Sequence, residues 1–220
     1  MQIDVIADIT CPWCFIGLKR LELSVDARTE YNFEFVWRPF LLNPELREGS
    51  LDRILYLERV FGSKSRIKQY FEAIGAAGKT VGIDFDFKHS ELTPSSIDAH
   101  SLIMLAGKSG MAMQMALTLY DAYFVHALDI GDPDVLIDLA ATVGMGRRDI
   151  KSVLGDEMNA NTIVEENNRI HRLGVNGVPS FVFADKNIIS GAQEPETLLH
   201  MIDLMATLSD KNNPLESHAV

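Results

Sequence analysis

The chain has only two cysteines, and they lie three residues apart in the segment 11–14, Cys-Pro-Trp-Cys. The β-branched residues among positions 3–7 predict a short strand before them. Thr10 is of a residue type that caps helices, and a proline such as Pro12 suits a first helical turn. We therefore predict that both cysteines lie where a strand is followed by the N-terminus of a helix.

The apolar pattern after the cysteines predicts a helix followed by a second strand. Cys14, Leu18, Leu21 and Val25 recur at steps of four, three and four, which places them on one helical face. Within residues 32–40, aromatic side chains alternate with other residues, as expected for a strand. Together these elements predict a β-α-β unit at the start of the chain.

The middle of the chain, residues 43–173, has a mostly helical pattern. Glycines and the X-Pro steps before Pro94 and Pro133 separate the helices. The clearest helical segments are 51–61, 63–77, 95–108, 111–126 and 133–143, and an extended segment is predicted at 83–87.

The last part of the chain predicts the order helix, strand, strand, helix. A helix over residues 156–173 is predicted to end at Gly174, because glycine is common just after helix C-termini. Strands are predicted at 180–184 and 188–190, with a turn at 185–187 between them. Pro195 is predicted to begin the final helix.

We expect the two ends of the chain to form one α/β domain around a common sheet. This domain comprises residues 1–43 and 174–208, and the helix 156–173 leads back to it. Residues 44–155 form an α-helical insertion, and residues 209–220 are predicted to be a flexible, polar tail.

The charge balance disfavours nucleic acid and membranes as partners. The chain carries 31 acidic and 20 basic residues, and a formal net charge of -11 repels phosphate backbones and anionic lipids.

The start of the chain lacks the basic and apolar segments of a signal peptide, and no apolar run is long enough to span a bilayer. We therefore expect a cytoplasmic protein. In a reducing compartment, a cysteine pair is more often catalytic than structural.

The two cysteines are predicted to have different roles in thiol–disulfide exchange. A helix N-terminus stabilises a thiolate, so Cys11 is expected to be the nucleophile. Cys14 lies one turn inside, on the apolar face, and is expected to resolve the mixed disulfide. Two alternatives stay open: a structural zinc site, for which two further ligands are needed, and chemically inert cysteines. The histidines show no metal-binding spacing, so we predict no metal.

The segment 8–17 resembles the DsbA family, specifically its cytosolic FrnE-like branch. The resemblance covers nearly the whole chain in the expected order. It continues through residues 37–40, 42–44, 98–100, 122–124, 174–179 and 190–193.

The resemblance implies a thioredoxin fold with a helical insertion and dithiol–disulfide chemistry at Cys11 and Cys14. It also implies a cis peptide bond before Pro179, opposite the cysteines. The backbone of Val178 would then pair with an extended substrate in the manner of an added strand. An X-Pro step before a strand has a simpler interpretation as a strand-entry residue. The chain departs from the family pattern at Ser95, Ser96, Ser101 and Ser180, which leaves the identity of the substrate open.

The same scaffold is shared by the 2-hydroxychromene-2-carboxylate isomerases and the kappa-class glutathione transferases. These relatives use a serine near the position of Cys11 to activate glutathione. They provide the alternative hypothesis of a glutathione-dependent isomerase or transferase. No bound cofactor is expected apart from the redox-active cysteine pair, with glutathione as a candidate reductant or co-substrate.

The predicted partners are disulfide-containing proteins or small thiols. The residues predicted to contact them are Pro12, Trp13, Val178, His100 and Gln193. Methionines cluster in the insertion, at 104, 111, 113 and 115, and are typical of core packing. An exposed apolar surface on the insertion would be compatible with a homodimer.

Overall fold

A computed structural model describes residues 1–184 and 187–211 of the chain. Strand β1 (Gln2–Ala7) leads through helix α1 (Pro12–Asp26) to strand β2 (Glu34–Pro39). The two strands are parallel, and Val5 lies opposite Trp37. The predicted β-α-β unit is therefore confirmed.

The end of the chain adds two more strands to the same sheet. Strand β5 (Ser180–Phe183) pairs antiparallel with β1, and strand β6 (Asn187–Ser190) pairs antiparallel with β5. The order across the sheet is β2-β1-β5-β6. Of the turn predicted at 185–187, residues 185 and 186 lie outside the described residues, and position 187 already belongs to β6.

The last helix, α9 (Pro195–Lys211), begins at the predicted proline and packs against α1. It continues three residues into the segment 209–220 that the sequence predicted to be a flexible tail. The rest of that segment, 212–220, lies outside the described residues.

Seven helices and two short strands lie between β2 and β5 in the sequence. The helices are α2 (Arg53–Phe61), α3 (Lys64–Lys79), α4 (Ile97–Gly107), α5 (Ala112–Phe124), α6 (Pro133–Thr142), α7 (Arg147–Lys151) and α8 (Glu157–Arg172). The strands β3 (Ser50–Asp52) and β4 (Leu92–Pro94) pair with each other. Neither strand was predicted from the sequence, because three residues are too few to show an alternating pattern. The segment predicted to be extended, 83–87, forms no strand.

Helices cover both faces of the four-stranded sheet. Val5 belongs to the main core, which includes buried residues of α1, α4, α5 and α9. The next residue, Ile6, faces the other side and packs with Ile170 of α8. Successive side chains of a strand point to opposite faces, so a run of apolar residues in β1 is what a doubly covered central strand requires. In the described part of the chain, no helix is long and apolar enough to cross a membrane.

Candidate active site

Cys11 is the N-cap residue of α1. Its backbone is extended (φ −97°, ψ 110°), and its carbonyl accepts hydrogen bonds from the amides of Cys14 (3.0 Å) and Phe15 (3.4 Å). Thr10 was predicted to cap the helix, and this assignment is wrong by one residue. Asp8 organises a turn ahead of the helix, in which the Asp8 side chain accepts from the amide of Thr10 at 2.9 Å. The carbonyl of Asp8 accepts from the amide of Cys11 at 3.1 Å.

Cys14 lies one helical turn further on and is fully buried, whereas Cys11 is 6% exposed. Burial raises the pKa of the Cys14 thiol well above its ordinary value, and a hydrogen bond and charge interaction with Cys11 raise it further. A buried thiol is favoured over a buried thiolate because the anion loses its hydration. Neither cysteine forms a disulfide in this structure. Cys11 is therefore the more accessible residue of the two, and Cys14 is the better shielded one.

An aromatic cluster closes the site behind Cys14. Tyr120 of α5 is fully buried and stacks on Phe15 with ring centroids 5.3 Å apart. The Tyr120 hydroxyl donates to the carbonyl of Asp8 at 2.9 Å. Burial, and then the charges of the two cysteines, raise the pKa of this hydroxyl well above its usual range. Tyr120 is thus a neutral hydrogen-bond donor that links α5 to the turn before Cys11.

Asp8 is a buried carboxylate to which the sequence alone assigned no separate role. Its side chain is 1% exposed and accepts from the amides of Thr10 and Leu42, the latter at 2.7 Å. The carboxylate therefore ties the end of β1 to the chain that follows β2. An acidic residue that directly follows a buried strand and precedes a cysteine pair was the available signal.

His100 was predicted to contact substrate, and the structure corrects this prediction. The side chain is fully buried, because α4 packs against the sheet rather than over an open cleft. Its Nδ1 accepts from the indole Nε1 of Trp37 at 2.9 Å, and its Nε2 lies 3.9 Å from Oδ1 of Asp8. Burial lowers the pKa of His100, although the Asp8 charge acts in the opposite direction. His100 is therefore a neutral residue within the core behind the site.

Pro179 lies against the first helix. The Val178–Pro179 peptide bond is cis, and Pro179 itself is buried. A Cβ placed on Gly17 of α1 would lie 2.8 Å from Cγ of Pro179, so glycine permits this approach. The carbonyl of Pro179 accepts from the amide of Gly191 at 2.7 Å, which ties this loop to the end of β6.

The other predicted contact residues differ in their placement. Pro12 and Val178 line one cavity with Cys11. Trp13 is half-buried and packs against the main core. The side-chain amide of Gln193 donates to the carbonyl of Ser190 at 2.7 Å, within its own loop. The roles of these residues toward a substrate stay predictions.

The cavity beside Cys11 has a volume of about 320 Å³. Residues of α2 and α3 line part of it, and among them Arg53, Tyr56 and Tyr70 carry polar groups. Burial raises the pKa of Tyr70, so its hydroxyl is neutral. None of the three was predicted from the sequence, because no local motif marks a side chain that reaches the site from a distant segment. Among the described residues, no three His, Cys, Asp or Glu side chains are grouped so that they could hold a metal ion.

The sheet order and the paired cysteines at the N-terminus of α1, next to a cis-proline, define the class of thioredoxin-like proteins. Residues 2–203 match the family model of the DSBA-like thioredoxin domain. The chain belongs to this family, which confirms the predicted fold class and the predicted family.

Three solved structures illustrate the similarity. A probable DsbA oxidoreductase of Streptomyces coelicolor, SCO1869, is 24% identical with a TM-score of 0.84, over 100% of this chain and 92% of its own. A 2-hydroxychromene-2-carboxylate isomerase is 15% identical with a TM-score of 0.72, over 99% and 100%. The cytosolic disulfide reductase DsbM of Pseudomonas aeruginosa, solved with glutathione, is 16% identical with a TM-score of 0.63, over 97% and 100%. At these identities, the similarity establishes the shared fold.

Proposed function

We propose that the protein is a dithiol–disulfide oxidoreductase in which Cys11 is the nucleophile and Cys14 the resolving cysteine. The observation that carries this proposal is the contrast between the two sulfurs. Cys11 lines a cavity at the start of α1, and Cys14 is fully buried one turn away with a raised pKa. Family membership supports the same chemistry.

The proposed reaction has two displacements. The Cys11 thiolate attacks one sulfur of a substrate disulfide, so that a Cys11–substrate bond forms while the substrate S–S bond breaks and one thiolate leaves. Cys14 then loses its proton and attacks the Cys11 sulfur, which releases the second substrate thiolate. The protein is oxidised by two electrons and the substrate is reduced to two thiols. The same steps in reverse oxidise a dithiol substrate.

The cavity geometry supports access of a substrate to Cys11. Val178 is half-buried and lines the cavity beside Cys11, so its backbone could contact an extended chain there. Ser180 is fully buried, and its hydroxyl donates to the carbonyl of Gly177 at 2.9 Å. This bond holds the segment before Val178 in place. We propose Pro12 and Val178 as substrate contacts on these grounds. We propose Trp13 and Gln193 as further contacts because they belong to segments that carry the family resemblance.

A trapping experiment tests the proposal. The reduced protein is mixed with glutathione disulfide, quenched with an alkylating agent and analysed by intact mass. We expect the wild type to form a Cys11–Cys14 disulfide and Cys14→Ser to accumulate one glutathione on Cys11. Cys11→Ser should remain unmodified over the same period. Equal reactivity of Cys11→Ser and the wild type would refute the assigned order.

The second candidate is a glutathione-dependent isomerase or transferase. The similarity to a 2-hydroxychromene-2-carboxylate isomerase over nearly the whole of both chains favours it. Such a reaction would need only Cys11, which would activate or replace the glutathione thiol. A Cys14→Ser variant that isomerises such a substrate in the presence of glutathione at the wild-type rate would support this candidate over the first.

We also propose glutathione as a reductant or co-substrate, a cytoplasmic location and a homodimer. The similarity to a reductase that was solved with glutathione, and is described as cytosolic, supports the first two. Sedimentation equilibrium tests the dimer directly.

A further inference from the structure

Arg53, at the start of α2, is a buried cation surrounded by aromatic rings. The residue is 5% exposed. Its guanidinium carbon lies 5.5–6.0 Å from the ring centroids of Phe71, Phe87, Tyr123 and Phe124. Aromatic faces attract a cation, but they do not neutralise its charge.

The structure supplies Arg53 with hydrogen-bond acceptors but with no counter-charge. Its Nη1 donates to the hydroxyls of Ser90 (2.8 Å) and Tyr123 (3.0 Å). Its Nε has no partner among the described residues. Within the described part of the chain, no carboxylate lies within 4.0 Å of this guanidinium. The other buried arginine, Arg20, does have one, at 2.7 Å in Glu194.

Arg53 and Cys11 line the same cavity of about 320 Å³. None of the other lining residues is an arginine, lysine, aspartate or glutamate. Arg53 is thus the only side chain lining this cavity that carries a fixed charge.

We propose that Arg53 forms a subsite for an anion, and that the preferred substrates are small disulfides or thiols that carry a carboxylate. This inference rests on the proposed thiol–disulfide exchange at Cys11 and specifies its substrate class. A buried charge is costly unless it is paired, and guanidinium donors match the two oxygens of a carboxylate. A substrate carboxylate bound in the cavity would supply the negative charge that Arg53 lacks.

The net charge of the chain makes a local cation necessary for such substrates. Because the chain has a formal net charge of -11, its surface as a whole repels anions. A single arginine in a largely enclosed cavity overcomes this repulsion at short range, since a charge acts more strongly where the dielectric constant is low. The reaction is unchanged: the substrate S–S bond is replaced by a bond to Cys11 and then by the Cys11–Cys14 disulfide, and two substrate thiols are released.

Three dialkyl disulfides of similar size separate the effect of substrate charge from the intrinsic reactivity of the disulfide. They are 3,3′-dithiodipropionate, which is anionic, 2-hydroxyethyl disulfide, which is neutral, and cystamine, which is cationic. The reduced full-length protein is mixed with each, quenched by acid and alkylation, and its oxidation is followed by mass. Each rate is divided by the rate of the same disulfide with dithiothreitol, which corrects for intrinsic reactivity.

We expect the normalised wild-type rates to fall in the order anionic, neutral, cationic. Arg53→Met should lower the rate with dithiodipropionate about tenfold to a hundredfold, as expected for a lost charged hydrogen bond, and leave the neutral disulfide within about twofold. Arg53→Lys, which keeps the charge, should retain part of the preference. Thermal unfolding of each variant shows whether it is folded.

The outcomes separate this inference from the proposed function. If the wild type exchanges none of the three disulfides, the proposed function fails. If it exchanges all three at similar normalised rates, or if Arg53→Met slows all three equally, only the anion subsite is refuted. If neither variant folds, the wild-type order decides, because no other cation lines the cavity.

Discussion

Gly17 and Pro179 lie so close together that no side chain fits between them. A Cβ on Gly17 would lie 2.8 Å from Cγ and 3.4 Å from Cβ of Pro179, and 3.3 Å from Cζ of Phe181. Cβ contacts in proteins are essentially never shorter than 3.0 Å. The proline ring is rigid, so it cannot move aside as a flexible side chain would. This contact sets the distance between the cysteine-bearing helix and the loop that carries Val178.

Replacing Gly17 with alanine should therefore separate α1 from the proline loop. Inside a helix, glycine to alanine normally stabilises by about 0.5–1 kcal/mol. Here the clash should dominate and lower the free energy of unfolding by about 1–3 kcal/mol. Urea unfolding measures the change, and the rate of alkylation of Cys11 should rise as the loop moves away.

Gly75→Ala is the matched control for this prediction. Gly75 lies within α3, and a Cβ there would meet nothing within 4 Å. We expect this variant to gain about 0.5–1 kcal/mol, as helix propensity alone predicts. If both substitutions stabilised the protein, the contact with Pro179 would not limit the packing of α1.

The raised pKa of Cys14 predicts that resolution of a mixed disulfide is limited by the loss of its proton. Burial is the largest cause of the shift and persists when Cys11 is bound to substrate. Because only the thiolate attacks, the rate should rise up to about tenfold per pH unit between about pH 6 and about pH 9.

The measurement uses protein with thionitrobenzoate bound at Cys11, whose release is followed by absorbance. Cys14→Ser should hold the label at every pH and thereby show that release requires Cys14. A rate that stayed constant from about pH 6 to about pH 9 would mean that Cys14 is already ionised at neutral pH.

The sequence predicted the four-stranded sheet, the first and last helices, and the position of the cysteine pair at the start of the first helix. These features depend on local patterns. Alternation and helical spacing over about ten residues identify such elements. The cavity wall could not be predicted in this way. Arg53 and Tyr70 reach the site from α2 and α3, and nothing in their local sequence indicates which part of the sheet they approach.

His100 shows the converse case, in which a residue predicted to contact substrate is buried in the core. Sequence analysis placed it on a helix near the site, and the structure confirms a helix there, α4. The face of α4 that carries His100 is nevertheless buried against the sheet. The spacing of the residues in α4 did not indicate this burial. The packing of an insertion against the sheet depends on contacts between distant segments, such as the bond from Trp37 to His100.

The lowered pKa of His100 predicts a loss of stability at acid pH. The folded protein holds this histidine neutral, and the unfolded chain takes up a proton below about pH 6.5. A group whose pKa is lowered by folding contributes stability above its unfolded pKa, and this contribution is lost as the pH falls towards the folded pKa. The free energy of unfolding should therefore decrease as the pH falls below about 6.5.

Urea unfolding at a series of pH values checks this prediction. His100→Gln cannot take up the proton, so its stability should depend less on pH than that of the wild type over this range. An identical slope for His100→Gln and the wild type would contradict the assignment.

Arg20 connects α1 to the loop that supports Pro179. Its Nη1 donates to the carbonyl of Ala192 at 2.6 Å, and its Nη2 pairs with Glu194 at 2.7 Å, while its side chain is only 5% exposed. Arg20→Met should lower the free energy of unfolding by about 2 kcal/mol, because a buried charged hydrogen bond to the backbone is lost. Glu194 is 64% exposed, so water screens the ion pair and most of the effect should come from Ala192.

Amide hydrogen exchange locates the effect of this substitution. The amide of Gly191, which donates to Pro179, should exchange faster in Arg20→Met than in the wild type. The neighbouring Lys19 pairs with Glu22 on the surface of α1, and Lys19→Met should change stability by less than about 0.5 kcal/mol. If both variants lost the same stability, or if exchange at Gly191 stayed at the wild-type rate, Arg20 would not position the loop. Faster exchange confined to the Arg20 variant would show that a buried cation on the cysteine-bearing helix holds the proline loop in place.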